Sequence, residues 1–288
     1  NNQILEDLNN GKAHIYEDGL QDLLLNQLNS GNFKCISYEA LNLSGVDIVI
    51  FCIGTPSLIN GECDLTFLKS SIKGIIPFLT DISHPISLVV KSTVPPNTVS
   101  ETITPLVRNQ LSETKYPNIG FGMNPEFLRE GSAIEDFKNP DRIVLGYDCE
   151  ISKEHLKELY RHFDCPKLFV STSCAEMIKY VNNSLLALQI SAVNEYANIC
   201  QELNYVDIDK VMEGVLMDKR WQNNEDFSNP PLIHSYLKAG CGFGGSCFPK
   251  DVKALSFAAK KLGISTPILD GTISINNEQP NYLVKKLS

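Results

Sequence analysis

Apolar residues in this chain gather in short, near-continuous runs separated by stretches of helical periodicity. Residues 46–53 (VDIVIFCI) form a β-branched run that stops at Gly54-Thr55-Pro56. Residues 87–90 (SLVV) form another, stopped by Lys91-Ser92-Thr93. Residues 119–123 and 143–146 read as two further strands, and 168–170 as a shorter fifth. Runs without alternation suit strands covered on both faces, as in parallel sheets. Helical patterns fall between them, at 16–28, 65–79, 98–111 and 152–162. The alternation predicts a Rossmann-like, doubly wound α/β sheet over residues 1–170.

The rhythm then changes. From Lys167 to Glu213 there is neither Gly nor Pro, and residues 174–203 read as one helix. A helix that long points to a bundle or a subunit interface. Ile178, Leu185, Leu188, Ala192 and Ile199 share one of its faces. That face is too apolar to stay uncovered, so a homodimer is expected. A segment rich in Asn, Gly and Pro follows at 221–245, then helical patterns at 252–261 and 276–287. Residues 171–288 therefore read as a mostly helical second domain. No internal repeat or low-complexity tract interrupts either half.

Composition narrows the partners. The chain has 288 residues and a formal net charge of −9, which argues against nucleic acid or an anionic membrane as the main partner. It does not argue against a small anionic ligand, for which a few local cations suffice. No stretch approaches ~18 consecutive apolar residues, so no membrane span is expected. The opening residues show no basic start followed by an apolar run, so no secretory signal is expected. The 9 cysteines are irregularly spaced, with no C-x-x-C pair, and the 5 histidines are scattered. A zinc site or disulfide framework is thus not expected, and a reducing cytoplasm fits.

Chemistry concentrates in a few segments. Residues 240–251 (GCGFGGSCFPKD) place four glycines within six residues, suited to sharp turns or close approach to a ligand. Cys247 follows, with Lys250 and Asp251 just beyond. A cation beside a thiol favours the thiolate, the form that attacks an aldehyde carbon. The same residues also read as a glycine-rich hairpin with a structural cysteine. The formal G-x-G-x-x-G match at 240–245 follows no strand and is not a dinucleotide fingerprint. Residues 124–131 (NPEFLREG) follow a strand end, where open α/β sheets bind ligands. Glu126 and Glu130 there suit a base and a water activator, or an ordinary ion pair. The hydroxyls after Lys91 suit a ribose or phosphate, or a helix cap. Lys179 and Asn183, one helical turn apart, suit an oxyanion, or are an ordinary surface Lys and a helix-interior Asn.

Together FCIGTP, KSTVPPNT, NPEFLREGSAIEDFKNPDRIVLG, EMIKYVNNSLLALQISAVNE and GCGFGGSCFPKDVKAL resemble the nucleotide-sugar 6-dehydrogenases, the UDP-glucose enzymes first. The resemblance covers nearly the whole chain. It implies a four-electron, NAD-dependent oxidation of a sugar C6 alcohol, through a thiohemiacetal and a thioester on Cys247. It implies Asp251 as the acid that organises water, and Lys179 with Asn183 as the oxyanion pair. Glu126 and Thr93 match the proton-relay positions. Thr55, Pro56, Ser92, Thr93 and Glu130 match cofactor positions. Phe127, Leu128, Lys179, Asn183, Tyr236, Gly244 and Lys250 match substrate positions. The family's glycine fingerprint and ribose-binding acid are expected upstream of Asn1, and its C-terminal nucleotide-binding domain beyond Ser288. Trp221 follows Asp218-Lys219-Arg220, where many UDP-glucose members read Arg-Ile-Gly. GDP-mannose or a UDP-N-acetylhexosamine remains open as substrate, as does a non-catalytic Rossmann-like binding or assembly protein.

Overall fold

The computed structural model describes residues 2–111, 118–222 and 230–287. They fall into two compact units. One comprises residues 1–55 and 65–179, the other residues 56–64 and 180–288.

The first unit is built on a five-stranded sheet: β1 (Ile48–Phe51), β2 (Ile86–Val90), β3 (Ile119–Met123), β4 (Ile143–Tyr147) and β5 (Lys167–Ser171), in spatial order β1-β2-β3-β4-β5. The pairings are parallel except for β3 with β4, which run antiparallel through Gly122↔Tyr147 and Met123↔Gly146. The sheet is thus parallel-dominated and mixed. A run buried on both faces carries no mark of strand direction, which is why the apolar pattern alone suggested a uniformly parallel sheet.

Helices α1 (Asn2–Asn9) and α2 (Leu20–Asn29) open the chain. Helix α3 (Thr66–Leu79) then buries Leu68, Ile72, Ile75, Ile76 and Leu79, an i, i+4, i+7 stripe, on one face of the sheet beside Leu88, Val90 and Phe121. Residues Thr98–Ile103 form a π-helical stretch that runs into α4 (Thr104–Arg108) on the same side. The short α5 (Ala133–Lys138) precedes β4, and α6 (Glu150–Leu159) covers the other face. There Leu156 and Tyr160 pack on Val89, Ile143 and Leu145. Alternate residues of β2 therefore enter opposite cores. Glycine at 120 lets α6 press onto β3: a Cβ there would lie 2.7 Å from the Ser152 backbone nitrogen.

Helix α7 (Thr172–Glu202) begins at the end of β5. In the first unit its Ala175 and Ile178 pack into the sheet core. The second unit holds the rest of α7, then α8 (Ile208–Leu216), α9 (Phe248–Lys261) and α10 (Pro267–Leu287). Ser191 on α7 donates to the Thr272 carbonyl of α10 at 3.0 Å. Ser256 on α9 donates to Asp270 at 2.7 Å. No helix among the described residues is long and apolar enough to cross a membrane.

Candidate active site

In the first unit the carboxyl ends of the parallel strands converge on Asn124. Its backbone N–H donates to the Val90 carbonyl at 2.9 Å, which continues the β2–β3 ladder past Met123. Its side-chain amide donates to the Val144 carbonyl at 2.9 Å, and its Oδ1 accepts from Lys91 Nζ at 2.9 Å and from the Tyr160 hydroxyl. Burial pushes the Tyr160 phenol up to about 12, so it stays a donor. Burial lowers the Lys91 ammonium, opposed by nearby Cys52 and Glu126 and reinforced by Lys179. Asn124 thereby fixes where the loop of Glu126 starts.

On that loop Glu126 Oε1 lies 3.2 Å from Lys179 Nζ, and its Oε2 accepts the Leu128 N–H at 2.8 Å. The Lys179 side chain is 4% exposed and that of Glu126 30%, so the pair is buried on the lysine side and reached by water on the carboxylate side. Phe127 has the Arg142 guanidinium 4.2 Å and the Lys179 ammonium 5.3 Å from its ring centroid, a cation on each count within π range. Leu128 and Glu130 are exposed. The loop's far end is tied by Glu17, whose carboxylate accepts the Ala133 N–H at 2.6 Å.

The loops after β1 and β2 hold each other. The Thr55 hydroxyl donates to the Thr93 carbonyl at 2.7 Å. Ser92 Oγ accepts the Ile53 N–H at 2.8 Å and donates to the Phe51 carbonyl at 3.2 Å. Two of the hydroxyls singled out in the sequence thus brace the loops. The Thr93 side chain makes no hydrogen bond among the described residues. Just beyond, Asn97 adopts a left-handed backbone with φ 68°, and the buried Glu176 of α7 accepts the Val99 N–H at 2.8 Å. Desolvation pushes the Glu176 carboxyl up to about 8, against the backbone donors of Val99, Asn97 and Thr98.

In the second unit Asp251 is 1% exposed. Its Oδ2 accepts from the Asn183 amide at 2.6 Å, and its Oδ1 from Lys250 Nζ at 2.6 Å. Each oxygen of this buried side chain thus has one donor, one neutral and one charged, at the first turn of α9. Cys247 caps that helix: its carbonyl accepts the Asp251 N–H at 2.8 Å, and Pro249 sits in the first turn. The Cys247 thiol is exposed, and among the described residues its polar neighbour is Ser246 Oγ at 3.6 Å. Lys250 directs its ammonium to Asp251. Tyr236 and Phe243 flank Phe248, with ring centroids 6.3 Å and 6.1 Å from it. Gly244 is exposed, with nothing within 4 Å of an added Cβ. The Pro56 carbonyl accepts the Asp64 N–H at 2.8 Å across a small turn.

The structure thus joins Glu126 to Lys179, and Asn183 to Asp251 and Lys250. Sequence reasoning passed over Asn124, Lys91, Tyr160 and Glu176 as anchors. The only sequence signal for Glu176 is a carboxylate in an otherwise apolar helical stripe. The glycine match at 240–245 lies in a loop ahead of α9, with no strand among the described residues between α8 and α9.

Comparison with known proteins bears on this constellation. Residues 1–164 match the model of the UDP-glucose/GDP-mannose dehydrogenase family, NAD binding domain, and residues 173–278 match that family's central domain. The chain is 36% identical over 284 residues to a UDP-glucose 6-dehydrogenase of Rickettsia bellii, covering 98% of this chain and 61% of that protein. It is 34% identical over 272 residues to a GDP-mannose 6-dehydrogenase of Pseudomonas savastanoi, covering 94% and 60%. A solved UDP-glucose dehydrogenase of Pyrobaculum islandicum superposes with a TM-score of 0.88 at 36% identity, over 100% of this chain and 63% of that one. The chain therefore spans about three-fifths of the length of the curated relatives it matches.

Proposed function

We propose, since the chain belongs to the UDP-glucose/GDP-mannose dehydrogenase family, that it is the cofactor-binding and central part of an NAD-dependent nucleotide-sugar 6-dehydrogenase acting on UDP-glucose. Residues 1–170 are assigned to cofactor binding and 171–288 to the helical domain with the cysteine loop. One observation carries the reading: an exposed Cys247 at the head of α9, one turn before a buried Asp251 held by Asn183 and Lys250. A two-electron alcohol dehydrogenase has no use for that thiol. A four-electron one does, because the aldehyde must become tetrahedral before it can lose a second hydride.

NAD, when bound, supplies the acceptor for both hydrides. The loops at 52–55 and 91–97 contain no carboxylate, so they set no like charge against an anionic dinucleotide. Thr55, Pro56, Ser92, Thr93 and Glu130 are assigned to holding it. Glu126 and Thr93 hold the water that takes the alcohol proton. The Cys247 thiolate forms a C–S bond to the aldehyde carbon while the carbonyl π pair moves to oxygen, and Lys179 and Asn183 donate to that oxyanion. Once oxidised, this adduct is a thioester. Asp251 orients and deprotonates the water that attacks it, releasing the carboxylate and restoring the thiolate. Phe127, Leu128, Tyr236, Gly244 and Lys250 are assigned to the sugar nucleotide.

The similarity to GDP-mannose 6-dehydrogenases supports GDP-mannose as the second reading. The partner protein is a second copy of the chain, and with all nine cysteines free the compartment is the cytoplasm. The test is NADH formation by the full-length protein with UDP-glucose, GDP-mannose and a UDP-N-acetylhexosamine. Two NADH per UDP-glucose is expected. Faster turnover of GDP-mannose transfers the assignment to that sugar, and no NADH with any of them refutes the enzyme reading.

A further inference from the structure

The glycine loop ahead of Cys247 forms no helix or strand. Glycines lose more conformational entropy on ordering than other residues, so such a loop needs partners to hold it. In the second unit the partners are side-chain carboxamides. On α7, Asn194 Oδ1 accepts the Gly240 N–H at 2.8 Å. On α10, Gln279 Nε2 donates to the Gly240 carbonyl at 3.0 Å. Gln279 is itself oriented by Asn198, whose Nδ2 donates to its Oε1 at 2.9 Å. One turn earlier on α10, Asn276 takes both backbone groups of Phe243. Its Oδ1 accepts the N–H at 2.6 Å, and its Nδ2 donates to the carbonyl at 3.0 Å. Gly240 and Phe243 thus receive from side chains the pairing a neighbouring strand would give.

The loop is shaped to these partners. Gly242 has φ 94°, and a Cβ there would stand 2.5 Å from Asn276 Oδ1, so the left-handed backbone and the amide require the same residue. The hold ends at Phe243. The Phe243 ring meets Phe248 edge-on, and Phe248 is the first residue of α9, bonded to Cys247. Beyond the clamp, Gly244 and Gly245 have nothing within 4 Å of an added Cβ. One side of the loop is fastened and the other is left open beside the thiol.

We propose that Asn194, Asn276 and Gln279 form a carboxamide clamp that sets the position of the Cys247 thiol, as positioning residues for its attack on the aldehyde. The inference rests on the reading of Cys247 as nucleophile and extends it to residues of two other helices. Amides suit the task because each both donates and accepts without placing a net charge beside the sulfur.

The test uses the full-length protein with Asn276→Ala and, separately, Gln279→Glu. The second keeps the side-chain shape and the acceptor for Asn198, and removes the donor to Gly240. Three readouts are taken: melting temperature, kcat and KM for the sugar nucleotide and for NAD, and peptide-resolved alkylation by iodoacetamide. Cys241 and Cys247 report on the loop, and the exposed Cys174 is the control. Folded variants are expected to lose roughly tenfold to a hundredfold in kcat, with KM for NAD changed by less than about twofold. Alkylation of Cys241 and Cys247 is expected to change relative to Cys174. Folded variants with unchanged kcat and unchanged Cys247 alkylation overturn the proposal. So does activity lost only in proportion to folded protein in both variants. Alkylation needs no turnover, so an active Cys247→Ser enzyme would refute the nucleophile reading while leaving the clamp to be judged on its own data.

Discussion

At the scale of single residues, the roles proposed for Cys247 and Asp251 make separable predictions because they concern different bonds. Serine at 247 keeps the size of the side chain, but a hydroxyl ionises far less readily than a thiol. The Cys247→Ser protein should bind sugar nucleotide and NAD and oxidise a supplied aldehyde slower by roughly a hundredfold or more. Progress curves with the aldehyde as substrate measure this, and near-normal turnover with two NADH per sugar would reduce Cys247 to a well-packed thiol. Asp251→Asn leaves the sulfur able to attack and removes the group that activates water, a loss of roughly a hundredfold to ten-thousandfold. A sugar adduct on Cys247 should then accumulate, visible as a mass increment on that peptide. Asn183 and Asp251, which the structure joins by a hydrogen bond, both lie in segments that residue type and spacing single out in the chain. Asn194, Asn276 and Gln279 are not singled out, because an amide bound to a distant backbone group has no local signature.

At the scale of elements, the strands were legible and their ends less so. β3 falls on the residues expected, 119–123, and β2 begins one residue earlier, because its apolar run continues into Ile86. β1 is shorter than its run: Val46, Cys52 and Ile53 are apolar but lie outside the ladder. α10 starts at Pro267 rather than near 276. Pro at the first helical position was a start signal, and Gly271 inside the helix masked it. The π-helical stretch at 98–103 had no signal, because its head is held by Glu176, 77 residues away.

Two tests belong at that scale. The Glu176 carboxyl is pushed from 4.5 up to about 8 by burial. Between those pH values the folded state holds a proton that the unfolded state has released, so stability falls as pH rises through the window. Glutamine at 176 keeps an acceptor for Val99 and carries no charge. Glu176→Gln should melt higher than the parent at alkaline pH, on the order of 5 °C, with the gap closing toward acid. A variant less stable at alkaline pH would mean that an ionised carboxylate holds the helix head. Gly120→Ala tests the β3–α6 contact. The new Cβ would meet the Ser152 backbone, which cannot yield without moving α6, so a loss of about 1–3 kcal/mol is expected in denaturant unfolding.

At the scale of the whole molecule, the α7 surface makes the remaining prediction. Val181, Leu185, Tyr196, Ile199 and Leu203 recur at helical spacing and are 38–53% exposed. Of the face expected from the sequence, Leu185 and Ile199 lie on this stripe, while Ile178 turns into the sheet core. Periodicity shows that a helix has an apolar face, but which neighbour covers each part is decided by packing between segments far apart in the chain. A stripe this large exposed to water favours association. Against it stands the like charge of two copies of these 288 residues, −9 each by formal count, which repels over a screening length of about 8–10 Å at physiological salt. The apolar contact does not weaken with salt, and the repulsion does. The full-length protein should therefore sediment as a dimer at micromolar concentration, with a dissociation constant that falls as ionic strength rises. Leu185→Glu with Ile199→Glu adds charge and removes apolar area on the stripe alone, and should shift the sample to monomer without lowering the melting temperature of the separated chain. A parent protein that sediments as a monomer at every salt concentration would show that the stripe is covered by something other than a second copy.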